Sequence, residues 1–195
     1  MNAALYVAKY VPFDYRTPDP DEVRTRRVVQ ELKVPTEESI QIAAPAMAAL
    51  IDGPCWLVPV PASNGSLSAN LLLARAIAEL VPGARVKCAV VRARRVESCC
   101  RRRLRGLPGL TAGQHGISRN AGPMRPLPLY FVDNVITTGT TLTACRRALG
   151  WGTGLVYADA STPHNSRRLS EPAGTGPTRN FSHSDKRDGS WRGGD

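Results

Sequence analysis

Short apolar runs alternate with helical segments along residues 5–160, and this alternation is the feature that most limits how the chain can fold. Strands are predicted at residues 5–10, 55–60, 86–90, 127–136 and 155–158. Helices are predicted at residues 20–33, from 35 or 36 to 51, at 67–80 and around 142–149. Since strands that alternate with helices form βαβ units, we predict an α/β fold, a mainly parallel β-sheet flanked by helices. Ligands of such folds bind at the carboxyl ends of the strands.

Several residues predict where these elements begin and end. Asp19, Pro20 and Glu22 are typical of a helix start, because a capping acid, a first-turn proline and a glutamate three residues after the cap satisfy the free amides there. The prolines on either side of Val60, at positions 59 and 61, are predicted to stop strand pairing, since proline has no amide hydrogen for the sheet ladder. Gly150 is predicted to close the last helix.

The composition changes near residue 161 and predicts a domain boundary. Residues 161–195 are rich in Ser, Gly, Pro, Asn, Arg and Asp, and their only large apolar side chains are Leu169, Phe181 and Trp191. Such a segment buries too little apolar surface to offset the entropy of ordering it. We therefore predict one folded domain at residues 1–160 and a disordered polar tail at residues 161–195.

The chain is basic, with 26 Lys and Arg against 16 Asp and Glu and a net charge of +10. Such a surface attracts polyanions such as nucleotides, pyrophosphate or nucleic acid. No apolar run approaches the roughly 18 residues that cross a bilayer, and no secretory signal pattern begins the chain. We expect a cytoplasmic protein that does not bind membranes. The five cysteines have no zinc-ligand spacing and are interpreted as reduced thiols.

The segment from residue 129 to 142 carries the most informative chemistry. It runs from an apolar strand through Asp133 into a turn containing Thr137, Thr138, Gly139 and two further threonines, and then into a helix. Hydroxyls and backbone amides at a helix start form an anion site suited to a terminal phosphate. Asp133 at the strand end can accept hydrogen bonds from sugar hydroxyls or bind magnesium through water. The alternative is that these residues only cap the turn and the helix.

Residues 132–141, Val-Asp-Asn-Val-Ile-Thr-Thr-Gly-Thr-Thr, resemble the phosphoribosyl diphosphate signature of the type I phosphoribosyltransferases. Within that superfamily, residues 57–63, the Leu- and Ala-rich helix after them, residues 10–33 and the arginines near position 100 resemble ComF-type and amidophosphoribosyltransferase-like proteins. The resemblance spans roughly residues 5–160 and is strongest at 129–142. It implies the type I phosphoribosyltransferase fold.

The resemblance also implies a substrate, a metal and a set of binding residues. The ligand would be 5-phosphoribosyl 1-diphosphate or another phosphorylated nucleotide, bound with Mg²⁺. Residues 137–141 would hold the 5-phosphate, Asp133 the ribose hydroxyls, and backbone amides of residues 61–64 the pyrophosphate. The implied substrate-binding residues are Asp133, Asn134, Val135, Ile136, Thr137, Thr138, Gly139, Thr140, Thr141, Pro61, Ala62, Ser63 and Asn64.

The chain departs from the family pattern in two places. Asn134 stands where the family usually has a second acid, and an amide brings no charge to the metal-bound sugar. The cysteine cluster with which ComF-type proteins often begin is absent from this sequence. Asn134 therefore favours an alternative in which the fold binds ligand with little or no turnover.

A basic stretch lies at residues 85–105, with nine Lys and Arg against the single acid Glu97. One interpretation is a mobile loop that closes on the leaving pyrophosphate, in which Arg101 and Arg102 would be catalytic together with Asp133. A second is a nucleic-acid contact surface formed by residues 92–105. A third is an ordinary solvated basic face.

Two functions follow from these features. The first is an enzyme that transfers ribose 5-phosphate to a nitrogen nucleophile and releases pyrophosphate. The second is a catalytically weak or inactive module that acts as a nucleotide sensor or as a nucleic-acid-associated component. A homo-oligomer or a protein partner is expected in either case. The histidines at positions 115, 164 and 183 show no partner pattern and are interpreted as structural or tail residues.

Overall fold

A computed structural model describes residues 4–11 and 19–160, so the predicted tail at residues 161–195 lies outside the described residues. The strands are β1 Ala4–Lys9, β2 Trp56–Pro59, β3 Arg85–Val86, β4 Val90–Arg92, β5 Ile117–Arg119, β6 Leu129–Ile136 and β7 Thr153–Asp159. The helices are α1 Pro20–Glu31, α2 Glu37–Ala48, α3 Ser68–Leu80, α4 Cys99–Leu104 and α5 Thr140–Leu149, with a 3-10 helix at Ala112–His115.

Five of these strands form one sheet in the order β1-β7-β6-β2-β3, and every pairing in it is parallel. Strands β4 and β5 pair antiparallel in a separate hairpin. The predicted α/β class and the mainly parallel sheet with flanking helices are therefore confirmed. In the described part of the chain, no helix is long and apolar enough to cross a membrane.

The start of α1 confirms the predicted cap. The Glu22 amide donates to Asp19 Oδ1 at 2.8 Å, and the Asp19 amide donates to Glu22 Oε2 at 3.0 Å. The first two helices end two and three residues earlier than predicted. Beyond Glu31 and Ala48 the chain continues in tighter turns, in which the amide of Lys33 bonds Gln30 and that of Ile51 bonds Ala48.

Both faces of the sheet are buried, which explains why the strands are continuously apolar. Leu57, Val132 and Leu155 share one cluster with the apolar residues of α1, α2 and α3. Their neighbours in sequence, Val58, Phe131 and Val156, share a second cluster with the apolar face of α5 and with the β4–β5 hairpin. The alternation follows from the two-residue period of a strand.

Strand pairing ends within residues 59–61 as predicted, although Pro59 itself is still paired. Pro59 lies within β2 in register with Val132, and the Val60 amide still donates to the Val132 carbonyl at 3.0 Å. Successive strand residues direct their amides to opposite sides, so the missing amide of Pro59 falls on the β3 side. Because β3 has already ended at Val86, no ladder bond is lost there.

The strand predicted at residues 86–90 is two strands. Val86 pairs with Leu57 in the parallel sheet, whereas Val90 pairs with Arg119 in the hairpin. A tight turn separates them, in which the Ala89 amide donates to the Lys87 carbonyl at 2.8 Å. An alternating apolar pattern reports burial but does not say which strand is the partner, so the sequence could not reveal this division.

The sheet changes its winding direction between β2 and β6. The chain leaves β2, passes through α3 on one face and returns as β3 on the outer side. It leaves β6, passes through α5 on the opposite face and returns as β7 on the other side. Where two adjacent parallel strands send their connections in opposite directions, a crevice opens at their carboxyl ends.

Candidate functional site

The crevice between β2 and β6 brings together the two segments that the sequence singled out. Residues 61–64 leave the carboxyl end of β2, and residues 137–141 follow the carboxyl end of β6, the neighbouring strand. We call them the β2 loop and the threonine turn. Ligands of parallel sheets bind at such a position, so the topology makes this edge the candidate site.

Asn70, in the first turn of α3, joins the two strands at this edge. Its buried side-chain amide donates to the Val60 carbonyl at 2.8 Å and to Asp133 Oδ1 at 3.1 Å. The sequence analysis missed this residue. The sequence feature that could have revealed Asn70 is its side-chain amide at the start of an otherwise apolar helical run, because a buried polar group needs a partner.

Asp133 is the acidic group of the crevice. Burial raises the pKa of its carboxyl from 3.8 to about 6, an effect opposed by the Asn134 amide at 2.9 Å, by Asn70 and by the charge of Arg92. At pH 7 most of the carboxyl groups are ionised and can accept hydrogen bonds. Below the raised pKa the protonated form predominates, so Asp133 changes charge within a range that a binding experiment can reach.

The threonine turn ends in an open helix start. Gly139 is the N-cap of α5, with a φ of +71° that favours glycine, and it has no side chain with which to cap the helix. Thr137 and Thr138 are exposed, and Thr140 and Thr141 are half-buried. The first-turn amides of a helix without a side-chain cap favour an anion, and the surrounding hydroxyls add further donors.

Besides Asp133, three residues of the predicted site belong to β6 itself. Asn134 donates its side-chain amide to the Val29 carbonyl in the last turn of α1, at 3.2 Å. Val135 and Ile136 pack against the two core clusters, and the Ile136 carbonyl accepts the Ala160 amide at 2.8 Å. The structure therefore places these side chains in the fold rather than at the crevice, because β6 continues for three residues beyond Asp133.

The β2 loop is built largely from its own hydrogen bonds. The Ala62 amide donates to the Ser66 carbonyl at 2.8 Å, and the Gly65 amide returns to the Ala62 carbonyl at 2.9 Å. Asn64 accepts the Ser66 amide on its side-chain oxygen at 2.9 Å. Since Pro61 has no amide hydrogen and the Ala62 amide is engaged, the backbone donors that residues 61–64 offer a ligand are those of Ser63 and Asn64.

Arg92, at the end of β4, organises the β2 loop. Its guanidinium donates from Nε to the Ala62 carbonyl at 2.8 Å and from Nη2 to the Pro61 carbonyl at 3.1 Å. A third donor, Nη1, bonds the His115 carbonyl. The sequence analysis counted Arg92 only as part of the basic stretch. Nothing in a run of arginines shows which one faces the backbone of a distant loop.

His115 connects this network to the threonine turn. The ring is only 2% exposed, and its Nε2 lies 3.0 Å from Thr140 Oγ1. Burial, together with the charge of Arg92, lowers the pKa of the imidazole below its usual 6.5, so the ring is neutral at pH 7. The sequence offered no partner pattern for this histidine, because its partners come from β4 and from the start of α5.

Arg101 and Arg102 lie in α4, within the excursion of residues 93–116 that joins β4 to β5. Arg102 donates to the Pro108 carbonyl at 2.9 Å and lies 3.9 Å from Glu97. Arg101 is exposed. In the described contacts, neither side chain meets Asp133 or the threonine turn. The excursion itself is attached to the site, because the Val96 amide donates to the Ser63 carbonyl at 2.9 Å.

Comparisons with protein-family models, with curated proteins and with solved structures find no match to this chain.

Proposed function

We propose that this protein is a phosphoribosyltransferase of the type I fold. In this proposal it binds 5-phosphoribosyl 1-diphosphate with Mg²⁺ and transfers ribose 5-phosphate to a nitrogen nucleophile. The supporting observation is that the threonine turn and the β2 loop leave adjacent parallel strands where the winding of the sheet reverses, with Asp133 on β6 three residues before that strand ends. A ligand with a phosphate at one end, a sugar in the middle and a diphosphate at the other suits this arrangement.

Each part of the ligand has a partner of suitable chemistry. The hydroxyls of the threonine turn and the first-turn amides of α5 would donate to the 5-phosphate, which has only acceptors. The Asp133 carboxylate would accept hydrogen bonds from the ribose hydroxyls. The Ser63 and Asn64 amides would donate to the pyrophosphate from the β2 loop, whose shape is set by Arg92.

The residues at the crevice fit a magnesium ion that travels with its substrate. Among the residues with described placement, no group of three or more acidic, His or Cys side chains could hold a metal. Mg²⁺ commonly keeps its waters and binds one or two carboxylates plus substrate phosphates. Asp133 would contact the ion through water. When bound, the ion supplies positive charge that neutralises the diphosphate.

In the reaction, the bond between ribose C1 and the diphosphate oxygen breaks, and its electron pair leaves on the pyrophosphate. The nitrogen lone pair of the acceptor forms the new bond to C1. The protein would contribute by holding both ends of the donor molecule and by placing amides near the departing charge. The negative charge of Asp133 also favours the cationic character that C1 acquires. The excursion that contains Arg101 and Arg102 would supply further positive charge.

Calorimetry with phosphoribosyl diphosphate, with and without Mg²⁺, tests this proposal when combined with an assay for released pyrophosphate. Asp133→Ala should abolish magnesium-dependent binding. Gly139→Val should abolish it as well, because a β-branched residue does not accept a φ of +71°, whereas Gly139→Asn should retain it, because asparagine tolerates this region. Absence of binding at about 1 mM ligand, the upper end of usual Michaelis constants, would reject the transferase function.

A second candidate is a nucleic-acid-associated module with weak or no turnover. Two observations favour it. The amide of Asn134 is used by the fold at Val29, and Arg94, Arg95, Arg101 and Arg105 have exposed side chains on the excursion. Clustered exposed arginines bind the phosphates of nucleic acids whatever the base sequence, and the affinity falls steeply with salt. Salt-dependent binding of DNA or RNA without pyrophosphate release would support this candidate over the enzyme.

A further inference from the structure

A chain of hydrogen-bonding groups runs from β4 into the threonine turn. Arg92 Nη1 lies 3.5 Å from His115 Nδ1, and His115 Nε2 lies 3.0 Å from Thr140 Oγ1. Thr140 Oγ1 in turn lies 3.0 Å from Thr138 Oγ1, which is on the exposed part of the turn. The buried ring of His115 therefore touches a donor at one nitrogen and a hydroxyl at the other.

The partners of the ring decide where its proton sits. A guanidinium is positively charged and only donates hydrogen bonds, so its position 3.5 Å from Nδ1 favours a lone pair over a proton on that nitrogen. The ring is neutral at pH 7 because burial and the charge of Arg92 lower its pKa. Its single proton is then on Nε2, and His115 donates to Thr140.

This tautomer sets the number of donors that the turn can offer. His115, Thr140 and Thr138 together carry three protons, while only two contacts connect them. One hydroxyl proton is therefore left over for an acceptor outside the chain. With the proton on Nδ1 instead, the two hydroxyl protons would be used in the same two contacts, and only lone pairs would face the crevice.

We propose that His115 is a positioning residue that keeps a hydroxyl of the threonine turn available as a hydrogen-bond donor. The turn then selects ligands that only accept hydrogen bonds. This inference rests on the proposed function and concerns the phosphate end of the ligand. A phosphate monoester is such a ligand, since it loses its second proton near pH 6 and then presents acceptor oxygens alone. Arg92 imposes the tautomer, and the same guanidinium holds the Pro61 and Ala62 carbonyls.

The tautomer can be measured on the full chain without changing the network. Replacing the other two histidines, His164→Asn and His183→Asn, leaves His115 as the single imidazole. Nitrogen-15 NMR of the ring should then show a protonated Nε2 and an unprotonated Nδ1 at pH 7.5. On titration with ribose 5-phosphate without metal, the Nε2 signal should shift, because Thr140 transmits the new hydrogen bond. A protonated Nδ1 would overturn the inference.

A matched pair of variants tests the consequence for binding. Thr140→Val removes the hydroxyl at nearly constant volume, and Thr140→Ser keeps it. We expect Thr140→Val to weaken ribose 5-phosphate binding about tenfold or more, and to abolish the shift of the His115 signal at saturating ligand. Thr140→Ser should stay within about threefold of the parent protein. Equal losses in both variants, or a shift that persists in Thr140→Val, would contradict the positioning role.

The same titrations separate this inference from the proposed function. Binding of ribose 5-phosphate with the expected tautomer, but none of phosphoribosyl diphosphate, would reject the transferase and retain the role of His115. Binding of phosphoribosyl diphosphate with a protonated Nδ1 would reject the role of His115 and retain the transferase. A chain that binds neither ligand at about 1 mM would overturn both.

Discussion

The β2 loop and the threonine turn lie at the same edge of the sheet, yet they are organised in opposite ways. The β2 loop is held in shape by the hydrogen bonds among residues 62–66 and by the guanidinium of Arg92, and only the Ser63 and Asn64 amides remain as backbone donors. The threonine turn begins a helix at a glycine that has no side chain with which to cap it. In the proposed function, the β2 loop is shaped before any ligand arrives, whereas the amides and hydroxyls of the threonine turn would be satisfied by the ligand. Pre-formed backbone beside unsatisfied donors is a common design for anion sites.

Replacing Arg92 should have the largest effect, because its side chain holds the β2 loop in shape. Arg92→Met keeps an unbranched apolar stem but removes the guanidinium and its hydrogen bonds to the Pro61, Ala62 and His115 carbonyls. We expect the free energy of unfolding in urea to fall by about 3 kcal/mol, since several bonds to a charged donor are lost. Arg94→Met is the control, because Arg94 is exposed and its one described bond, to the Gln114 carbonyl, is 3.4 Å long. Equal effects in the two variants would show that the loop does not depend on Arg92.

Replacing Asp133 by a neutral residue should raise the free energy of unfolding at neutral pH, whereas replacing Arg92 should lower it. The folded pKa is raised from 3.8 to about 6, so the protein is stabilised below pH 4 relative to higher pH, and that stability is lost as pH rises through 6. Asp133→Asn retains an oxygen for the Asn70 and Asn134 donors. We expect it to be more stable than the parent at pH 7.5 by about 2 kcal/mol, and this advantage to shrink as pH falls from 6 to 4. Urea unfolding of both proteins at pH 4.5 and 7.5 measures the difference, and an advantage that does not grow between these pH values would refute the raised pKa.

Introducing an acid at position 134 should destabilise the fold. The Asn134 amide donates to the Val29 carbonyl, so Asn134→Asp would place a carboxylate against a carbonyl oxygen. We expect a loss of about 1.5 kcal/mol at pH 7.5, compared with about 1 kcal/mol for Asn134→Ala, which removes the bond without repulsion. Thermal unfolding of the two variants provides the comparison. If Asn134→Asp instead strengthens magnesium-dependent ligand binding at no cost in stability, residue 134 belongs to the ligand site.

The smallest effect is expected at Asn64 in the β2 loop. Its side-chain oxygen accepts the Ser66 amide in an exposed position, so Asn64→Ala should cost about 0.5 kcal/mol and Asn64→Asp almost nothing. Since the Asn64 backbone amide remains, ligand affinity should change little in either variant. A large loss of phosphoribosyl diphosphate affinity in Asn64→Ala alone would mean that the side chain, rather than the backbone, contacts the ligand.

Much of the fold could be predicted from local patterns. The capping acid Asp19, the short apolar runs around Leu57 and Phe131, and the glycine that closes α5 each reflect physics that acts within a few residues of chain. The errors arose where two distant segments meet. The strand at residues 86–90 was misread because its halves pair with different partners, and Pro59 keeps its place in β2 only because β3 has already ended beside it.

The candidate site likewise has a part that local sequence patterns predict and a part that only tertiary contacts decide. The sequence determined which residue types could bind phosphate, because a turn of threonines and a glycine after a strand carries its chemistry locally. The tertiary structure decided that this turn lies beside the β2 loop, that Asn134 serves α1, and that Asn70, Arg92 and His115 connect the parts. A hydrogen bond between residues far apart in the chain depends on angles and distances that packing sets, so no local pattern records it.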